Sequence, residues 1–523
     1  MNQSPTISAA AELISKAREL YVNDRPATRV LDELDRRLHE PLRLAVAGIV
    51  KAGKSTLLNA VLGERIAPTD AGECTRVVTW YRYADTPSIT LHPKEGQPQR
   101  LPVRRKKGQL LLDLDGRNAD EVERIDITWP SPALRRVILI DTPGIASLSE
   151  NVSARSLHFL TPDQTPSSAD AIVYLLRHLH PSDLNFLEAF RDTAAGSSRG
   201  INAVAVLSRA DEIGSGRIDS LLSARKVARR YELDGELSSL ALSVVPVAGL
   251  LAEGARTLRE SEYTAFRELA GLDRANRERL LISADRFVRP ADFTSLSEQD
   301  RRALLARFGM FGVRLATSLV RAGVSDSSDL AEQLVQQSGL NELSEFVGLQ
   351  FHSRAEALKT RTILDGLERL MAVNPRSEAT ELEAGIERMR LNAYGVHELA
   401  VISQAHVSGL SLPPAETADA VRIVGGSGLD AATRLGLDEQ AEPAVIADRL
   451  AVELDRWRVL SVSPVLDRAT AEACQVVLRS LEQIASDIKR AGTDQPPSDV
   501  VAAGTPGDTT GNIAGEQGEQ DEQ

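Results

Sequence analysis

Short, continuously apolar runs alternate with longer mixed stretches through the first half of the chain. A three-to-four-residue apolar rhythm then replaces them. Within residues 8–39, Ala10, Leu13, Ile14, Ala17, Leu20 and Tyr21 recur at helical spacing, and Leu31, Leu34 and Leu38 repeat the pattern. Asn23-Asp24-Arg25-Pro26 separates the two pieces, so two helices that pack outside the following domain are predicted. From residue 41 to about 251, eight runs read as strands: 42–47, 77–83, 88–91, 125–129, 137–140, 171–176, 203–207 and 244–247. Several are apolar at every position, as strands covered on both faces must be. That pattern predicts an α/β domain with a mostly parallel sheet.

After residue 251 the texture is helical. Leu304, Leu305, Phe308, Phe311, Leu315 and Leu319 form one stripe, and Leu330 and Leu334 form another, closed by Ser338-Gly339, where glycine suits a helix end. The stripe continues through Leu343, Phe346, Val347, Phe351, Leu358, Leu364, Leu367 and Leu370 to the break at Asn374-Pro375. Further helices are predicted at about 377–402, 415–424 and 442–490. The expected layout is therefore N-terminal helices at 1–40, the α/β domain at 41–255, a long helical neck, stalk or bundle at 256–491, and a tail at 492–523. The tail is rich in Gly, Pro, Thr, Asp, Glu and Gln, a composition read as disordered.

Composition narrows the classes. The 523 residues exceed what one core usually holds, about 250–300, and the chain is 42% apolar but only 4% aromatic. A net charge of −13 supplies no excess of cations to displace nucleic-acid counterions, so nucleic acid is not expected as the partner. Cys74 and Cys474 lie 400 positions apart and form no paired motif, which fits a reducing cytosol. The polar first ten residues lack a signal-peptide layout, and no segment is expected to span a membrane. The eight histidines show no metal-ligand spacing.

The chemistry concentrates in Gly48-Ile49-Val50-Lys51-Ala52-Gly53-Lys54-Ser55-Thr56. It satisfies G-x-x-x-x-G-K-[ST] between a strand and a helix, the context a phosphate-binding loop requires. Backbone N–H groups from Gly48 through Thr56, with Lys51, Ala52 and Gly53 between, are expected to wrap the phosphates of a nucleotide. Lys54 would reach the β- and γ-phosphate oxygens and Ser55 would give its hydroxyl to Mg²⁺. Asp141-Thr142-Pro143-Gly144 follows the strand at 137–140. Its aspartate can hold the Mg²⁺ water shell, and the Gly144 N–H can face the γ-phosphate.

Ser208-Arg209-Ala210-Asp211 follows the strand at 203–207. At this position GTPases carry [N/T]-K-x-D, whose aspartate accepts two N–H bonds from guanine and rejects adenine. Arg209 can lay its stem and flat guanidinium over the base in place of the lysine. After the strand at 244, Ala248 is the candidate to give a backbone N–H to the guanine carbonyl. Thr75, immediately before the strand at 77, is the expected switch threonine completing the Mg²⁺ shell, with Thr69 its rival. The intervals Ser55–Asp141 and Asp141–Asp211 are long for a minimal GTPase, so additional elements are inserted between the motifs.

An enlarged GTPase domain between a short leading and a long trailing helical segment resembles the bacterial dynamin-like large GTPases. The stretches that carry the resemblance are Pro41-Leu42-Arg43, Gly53-Lys54-Ser55-Thr56, Ala67-Pro68-Thr69-Asp70-Ala71 and Ser208-Arg209-Ala210-Asp211-Glu212-Ile213-Gly214, then Arg307-Phe308-Gly309-Met310-Phe311-Gly312 and Gly425-Gly426-Ser427-Gly428. It runs from about residue 8 to 490. The resemblance implies GTP hydrolysis with Mg²⁺, self-association through the GTPase domain, a paired dynamin-like partner, and peripheral contact with the inner face of the plasma membrane. It further implies a role in membrane remodelling or maintenance under envelope stress.

The chain departs from the family where water is activated. Eukaryotic dynamins place Gln and Ser where Val50 and Lys51 stand here, and Ile145 after Asp141-Thr142-Pro143-Gly144 offers no polar group either. One reading sets the Lys51 ammonium where a monovalent cation would sit between the phosphates; the other leaves it pointing into solvent. Three functions are compatible with these residues: a GTP-driven membrane mechanoenzyme, a slow GTP switch that serves a partner, and an ATPase allowed by the imperfect Ser208–Asp211 motif. Two further features are read as structural. Arg104-Arg105-Lys106-Lys107 is expected in a solvated hairpin, and Phe308-Gly309-Met310-Phe311 in a helix core rather than at a membrane-inserting tip.

Overall fold

The computed structural model describes residues 5–69, 76–106, 108–144, 168–195, 202–214, 216–233, 236–391, 394–407 and 409–493. Eleven strands are found among them: β1 (Leu42–Gly48), β2 (Val78–Tyr83), β3 (Ser88–Pro93), β4 (Gln99–Leu101), β5 (Arg104–Lys106), β6 (Gln109–Leu111), β7 (Val122–Trp129), β8 (Val137–Asp141), β9 (Ala171–Leu176), β10 (Ala203–Ser208) and β11 (Val244–Val247). Nine form one sheet in the order β11-β10-β9-β1-β8-β2-β7-β3-β4, and β5 pairs with β6. The run from β11 to β8 is parallel throughout. Beyond it, β2 runs antiparallel to β8, and β3 antiparallel to β7 and β4. All seven residues of β1 and all six of β9 and β10 are buried, which is why these strands read as mostly apolar runs; the charged exception, Arg43 of β1, is paired with Glu33 and Glu40.

The eight strands expected from the sequence are present, and β4, β5 and β6 are additional. These three are short, and the burial of β4 and β6 is uneven, so they leave little apolar signature. Basic residues Arg104 to Lys106 are exposed in the β5–β6 hairpin. There Arg105 pairs with Glu64 and lies 4.8 Å above the Trp129 ring.

Two helices precede the sheet, α1 (Pro5–Leu20) and α2 (Arg25–His39). The Asp24 side chain accepts the Ala27 N–H at 3.0 Å and Pro26 stands in the first turn, so α2 begins where a cap and a prolyl φ favour it. Four further helices bear on the site and its supports: α3 (Lys54–Leu62), α4 (Gly249–Arg256), α5 (Glu298–Arg321) and α6 (Ala355–Val373). The stripes of α1 and α2 close with Ile363, Leu364, Leu367 and Leu370 of α6 and with Leu382 and Ile386 into a core separate from that of the sheet. Each such side chain contributes about 1.5–3 kcal/mol on burial.

A buried polar joint ties this second core to the sheet. Arg37 of α2 meets the Asp170 carboxylate at 2.8 Å, and the same carboxylate accepts the Arg43 N–H at 2.8 Å. The Lys359 ammonium of α6 donates to the carbonyls of Leu38 and Glu40, both at 2.9 Å. The joint lies at the amino end of β1, opposite the edge where the sequence motifs emerge.

At the carboxyl side of the chain, the segment expected as one helix over 442–490 is a pair, α7 (Pro443–Ser461) and α8 (Arg468–Thr493). Pro464 cannot continue α7 and falls in the turn between them. Helix α8 also runs through Thr493, two residues into the segment read as tail; residues 494–523 lie outside the described residues. Only α5 among the described helices is long and apolar enough to cross a membrane. Its Phe308, Phe311, Val313 and Ala316 are nonetheless buried, and Phe308 meets the Phe266 ring edge-on at 5.1 Å. Packing therefore takes the aromatic pair into the core.

Candidate functional site

Four motifs share one edge because their strands are parallel. Gly48 ends β1, Asp141 ends β8, Ser208 ends β10 and Val247 ends β11, and ligands in open α/β sheets bind outside the carboxyl ends of the strands. The loop after β1 has a backbone few residues can adopt. Gly48 has φ +146°, and a Cβ there would lie 2.3 Å from the Leu175 carbonyl oxygen. Gly53 has φ +98°, and Lys51, which is not glycine, has φ +64°, a conformation costing of order 1–3 kcal/mol. Gly53 heads α3 without a side-chain cap, so the first N–H groups of that helix are left for an anion.

Inside this loop the Lys54 ammonium donates to the Gly48 carbonyl at 3.1 Å and lies 3.4 Å from that of Ile49. Burial lowers its pKa, and the Asp141 charge opposes that shift. The Ser55 hydroxyl stands 3.5 Å from Asp141 Oδ2. Burial pushes the Asp141 carboxyl up to about 6, against the pull of Lys54 and Ser55. Its Oδ1 is buried with no hydrogen-bond partner. A hydroxyl and a carboxylate with a free oxygen are the donors a hard divalent cation takes, usually with water between, so the residues fit Mg²⁺.

The turn after β8 is fixed by Thr142, whose hydroxyl donates to the Val46 carbonyl at 3.0 Å. A Cβ on Gly144 would lie 2.6 Å from Val50 Cγ2. Position 144 therefore has room for glycine alone, and Val50 covers it with a methyl group. Lys51 is exposed.

The opposite wall is built by the loop after β10. Ser208 is buried and gives its hydroxyl to the Leu176 carbonyl at 3.0 Å, so it fastens two strands together. Arg209 stands at φ +51°, donates to the Lys51 carbonyl at 3.2 Å and pairs with Glu212 at 2.9 Å. Burial raises the Asp211 carboxyl to about 6. A cavity of about 170 Å³ joins the two loops, lined by Gly53 and Thr56 on one side, Arg209 and Asp211 on the other, and Gly249 and Leu250 at the head of α4.

One expected contact is corrected. The Ala248 N–H already donates to the Ser338 carbonyl at 2.8 Å, so it is not free to face a base. The next residue, Gly249, lines the cavity in its place; a glycine at a helix start directly after a strand was the available signal. Leu175 also lines the cavity because β9 lies beside β1, a neighbour relation that spacing alone does not reveal. Thr75, Ile145, Cys74 and Lys107 lie outside the described residues. The rival threonine, Thr69, accepts a hydrogen bond from the Gln109 side chain at 2.8 Å.

Comparison with known proteins gives the same outline. Residues 44–189 match the profile described as the Dynamin family. The chain is 40% identical over 457 residues to the isoniazid-induced protein IniC of Mycobacterium tuberculosis, covering 87% of this chain and 92% of that protein. It is 23% identical over 384 residues to the isoniazid-induced protein IniA of the same organism, covering 69% of this chain and 56% of IniA. A solved structure described as an oligomerised bacterial dynamin pair, providing a mechanism for long-range sensing and tethering of membranes, aligns over 94% of this chain and 76% of its own, at 11% identity and a TM-score of 0.36.

Proposed function

The chain belongs to the dynamin family of large GTPases, with IniC among its relatives, and from that premise we propose that it binds and hydrolyses GTP with Mg²⁺ and couples the cycle to assembly at a membrane. In this reading Gly48, Lys51, Ala52, Gly53, Lys54, Ser55 and Thr56 hold the phosphates. Ser55, Asp141 through water, and Thr75 hold Mg²⁺, which when bound neutralises phosphate charge. Gly144 faces the γ-phosphate, Arg209 covers the base, and Asp211 accepts its N–H groups, with Gly249 in the place expected of Ala248. Lys51 and Lys54 are the cations that stabilise charge developing between the phosphates.

The observation that carries the reading is the cavity joining Gly53 to Asp211, beside an Asp141 carboxylate with one oxygen unpartnered. Self-association through the GTPase domain, a paired dynamin-like protein, and peripheral contact with the inner face of the plasma membrane belong to the same proposal. So does maintenance of that membrane under envelope stress. These features derive from family membership.

A second reading has support of its own. Val50 lies against Gly144 and puts a methyl group where a water-orienting side chain would be needed, which favours a slow GTP switch that serves a partner. Turnover of GTP and ATP, measured over a range of protein concentrations with and without liposomes, separates the readings. A GTP-selective rate that rises with concentration or lipid supports the mechanoenzyme. A flat, slow rate supports the switch, and equal turnover of ATP defeats both.

A further inference from the structure

The motif Arg307-Phe308-Gly309-Met310-Phe311-Gly312 lies outside the α/β segment, some 100 residues beyond Asp211. It forms the middle of α5, and the helix breaks there: Gly309 has φ 64° and ψ 173°. The break lies behind two residues of the base cavity's wall, Asp211 and Leu250. A Cβ on Gly309 would lie 3.6 Å from Asp211 Oδ2 and 3.6 Å from Leu250 Cδ2, so the glycine backbone abuts the carboxylate assigned to read guanine and a residue lining the same cavity.

Two other glycines bring the helix this close. A Cβ on Gly254 of α4 would meet the Arg307 carbonyl oxygen and the Phe308 ring at 2.8 Å, and one on Gly312 would lie 3.1 Å from Leu251. Helices α4 and α5 therefore pack nearly backbone to backbone. An arginine anchors each side of the break. Arg307 donates to the Thr257 carbonyl at 2.7 Å, at the carboxyl end of α4. Arg314 donates to the Gly216 carbonyl at 2.6 Å, in the loop beyond Asp211, and to the Leu281 carbonyl at 2.9 Å. One broken helix thus holds the loop beyond Asp211 through Arg314 and the carboxyl end of α4 through Arg307, while the amino end of α4 lines the cavity.

Asp211 must be ionised to accept two N–H bonds. The charged groups beside it are Arg209 and Glu212, and the amino end of the helix that restarts after Gly309 adds a positive dipole end. We infer that α5 is part of the nucleotide-specificity apparatus, with Gly309 a positioning residue that holds Asp211 in the guanine-reading register and links base recognition to the helical region. The inference rests on the GTP reading proposed above.

Its test is titration of the full chain with a fluorescent GDP and with its xanthine counterpart, in Mg²⁺, between pH 5 and 8. In the Gly309→Ala variant a side chain must adopt φ +64° or the helix must straighten, at a cost equivalent to about tenfold in binding. The expected result is a GDP-over-xanthine preference reduced by about that factor, with the acid midpoint of GDP binding moved upward. Wild-type preference together with a wild-type midpoint overturns the inference. Equal losses for both nucleotides also overturn it, because they mark general loosening. If circular dichroism shows Gly309→Ala unfolded, Arg314→Gln, which frees the Gly216 carbonyl, takes its place with the same outcomes. If the wild-type chain shows no preference for guanine, the GTP reading itself fails.

Discussion

Arg209 reaches across the cavity to donate to the Lys51 carbonyl at 3.2 Å, so the loop assigned to the base and the loop assigned to the phosphates are hydrogen-bonded to each other. Both residues hold left-handed backbone conformations. Removal of the guanidinium should release Lys51 from one of its constraints. Arg209→Ala is expected to weaken GDP binding about three- to tenfold, the equivalent of one ordinary net hydrogen bond at a partly exposed site. It should also raise amide exchange at residues 49–53, as measured by hydrogen–deuterium exchange. Unchanged exchange there would show that the two loops are independent.

The two lysines of the loop should separate binding from turnover. Lys54 is half-buried and donates to the Gly48 carbonyl, and Lys54→Ala should reduce nucleotide affinity roughly 100-fold or more, as loss of charged hydrogen bonds does. Lys51 is exposed. Lys51→Ala should lower kcat by about 10- to 100-fold, as for a donor to developing charge, with GTP affinity within a factor of about two. An unchanged kcat in single-turnover assays removes Lys51 from the mechanism.

Asp141 and Asp211 set an opposed pair of pH effects. Burial raises both carboxyls to about 6 in the folded chain, whereas unfolded aspartate titrates near 4. Between about pH 4 and 6 the folded state binds more protons than the unfolded one. The nucleotide-free chain therefore loses stability from these groups as pH rises through that window. Nucleotide and Mg²⁺ need the ionised forms, so their binding should fall as pH drops below about 6. Asp141→Asn should raise the Tm of the nucleotide-free chain at pH 7, by the equivalent of up to roughly 3 kcal/mol, while abolishing stabilisation by Mg²⁺-nucleotide. A lower Tm in the variant would contradict this account.

Gly339 should be indispensable for a reason outside its own helix. It has φ +82°, and a Cβ would lie 2.2 Å from the Pro246 carbonyl oxygen of β11. Gly339→Ala is expected to cost about 2–5 kcal/mol from backbone strain and overpacking together, read from urea denaturation. A loss below about 1 kcal/mol would mean that the 338–340 turn moves aside freely.

The buried joint at the other end of the sheet offers a contrast between breaking and replacing. Asp170→Ala leaves Arg37 buried without its carboxylate and should cost about 3–5 kcal/mol. Replacing both residues with apolar side chains of similar volume should recover most of that loss. Equal destabilisation of the single and double variants in thermal melts would show that the ion pair is not the source.

Some of this was legible in the residue order, for identifiable reasons. Strands such as Ala171–Leu176 were readable because burial on both faces leaves a run without charged positions, and β3 and β7 because burial at alternate positions leaves a period of two. Lys54, Ser55 and Asp141 were readable because chemistry fixes their types and parallel strands fix their edge. What the sequence concealed depends on contacts distant in the chain. The Ala248 N–H is taken by Ser338, ninety residues later. The break at Gly309 hides inside an apolar stripe that is continuous at helical spacing, because periodicity records which face is buried and not whether the axis is straight. Strands β4 to β6 are too short and unevenly buried to leave a period.

The Lys359 ammonium, seated on the carbonyls of Leu38 and Glu40, has a mechanical consequence. It clamps the last turn of α2 to the first turns of α6 at the point where the chain enters β1. Segments on either side of the α/β domain, more than 300 positions apart in sequence, are thus joined by buried hydrogen bonds as well as by a shared apolar core. Peeling the leading helices away from α6 would strip the ammonium of both carbonyls and open that core to water, so the two costs fall on the same separation.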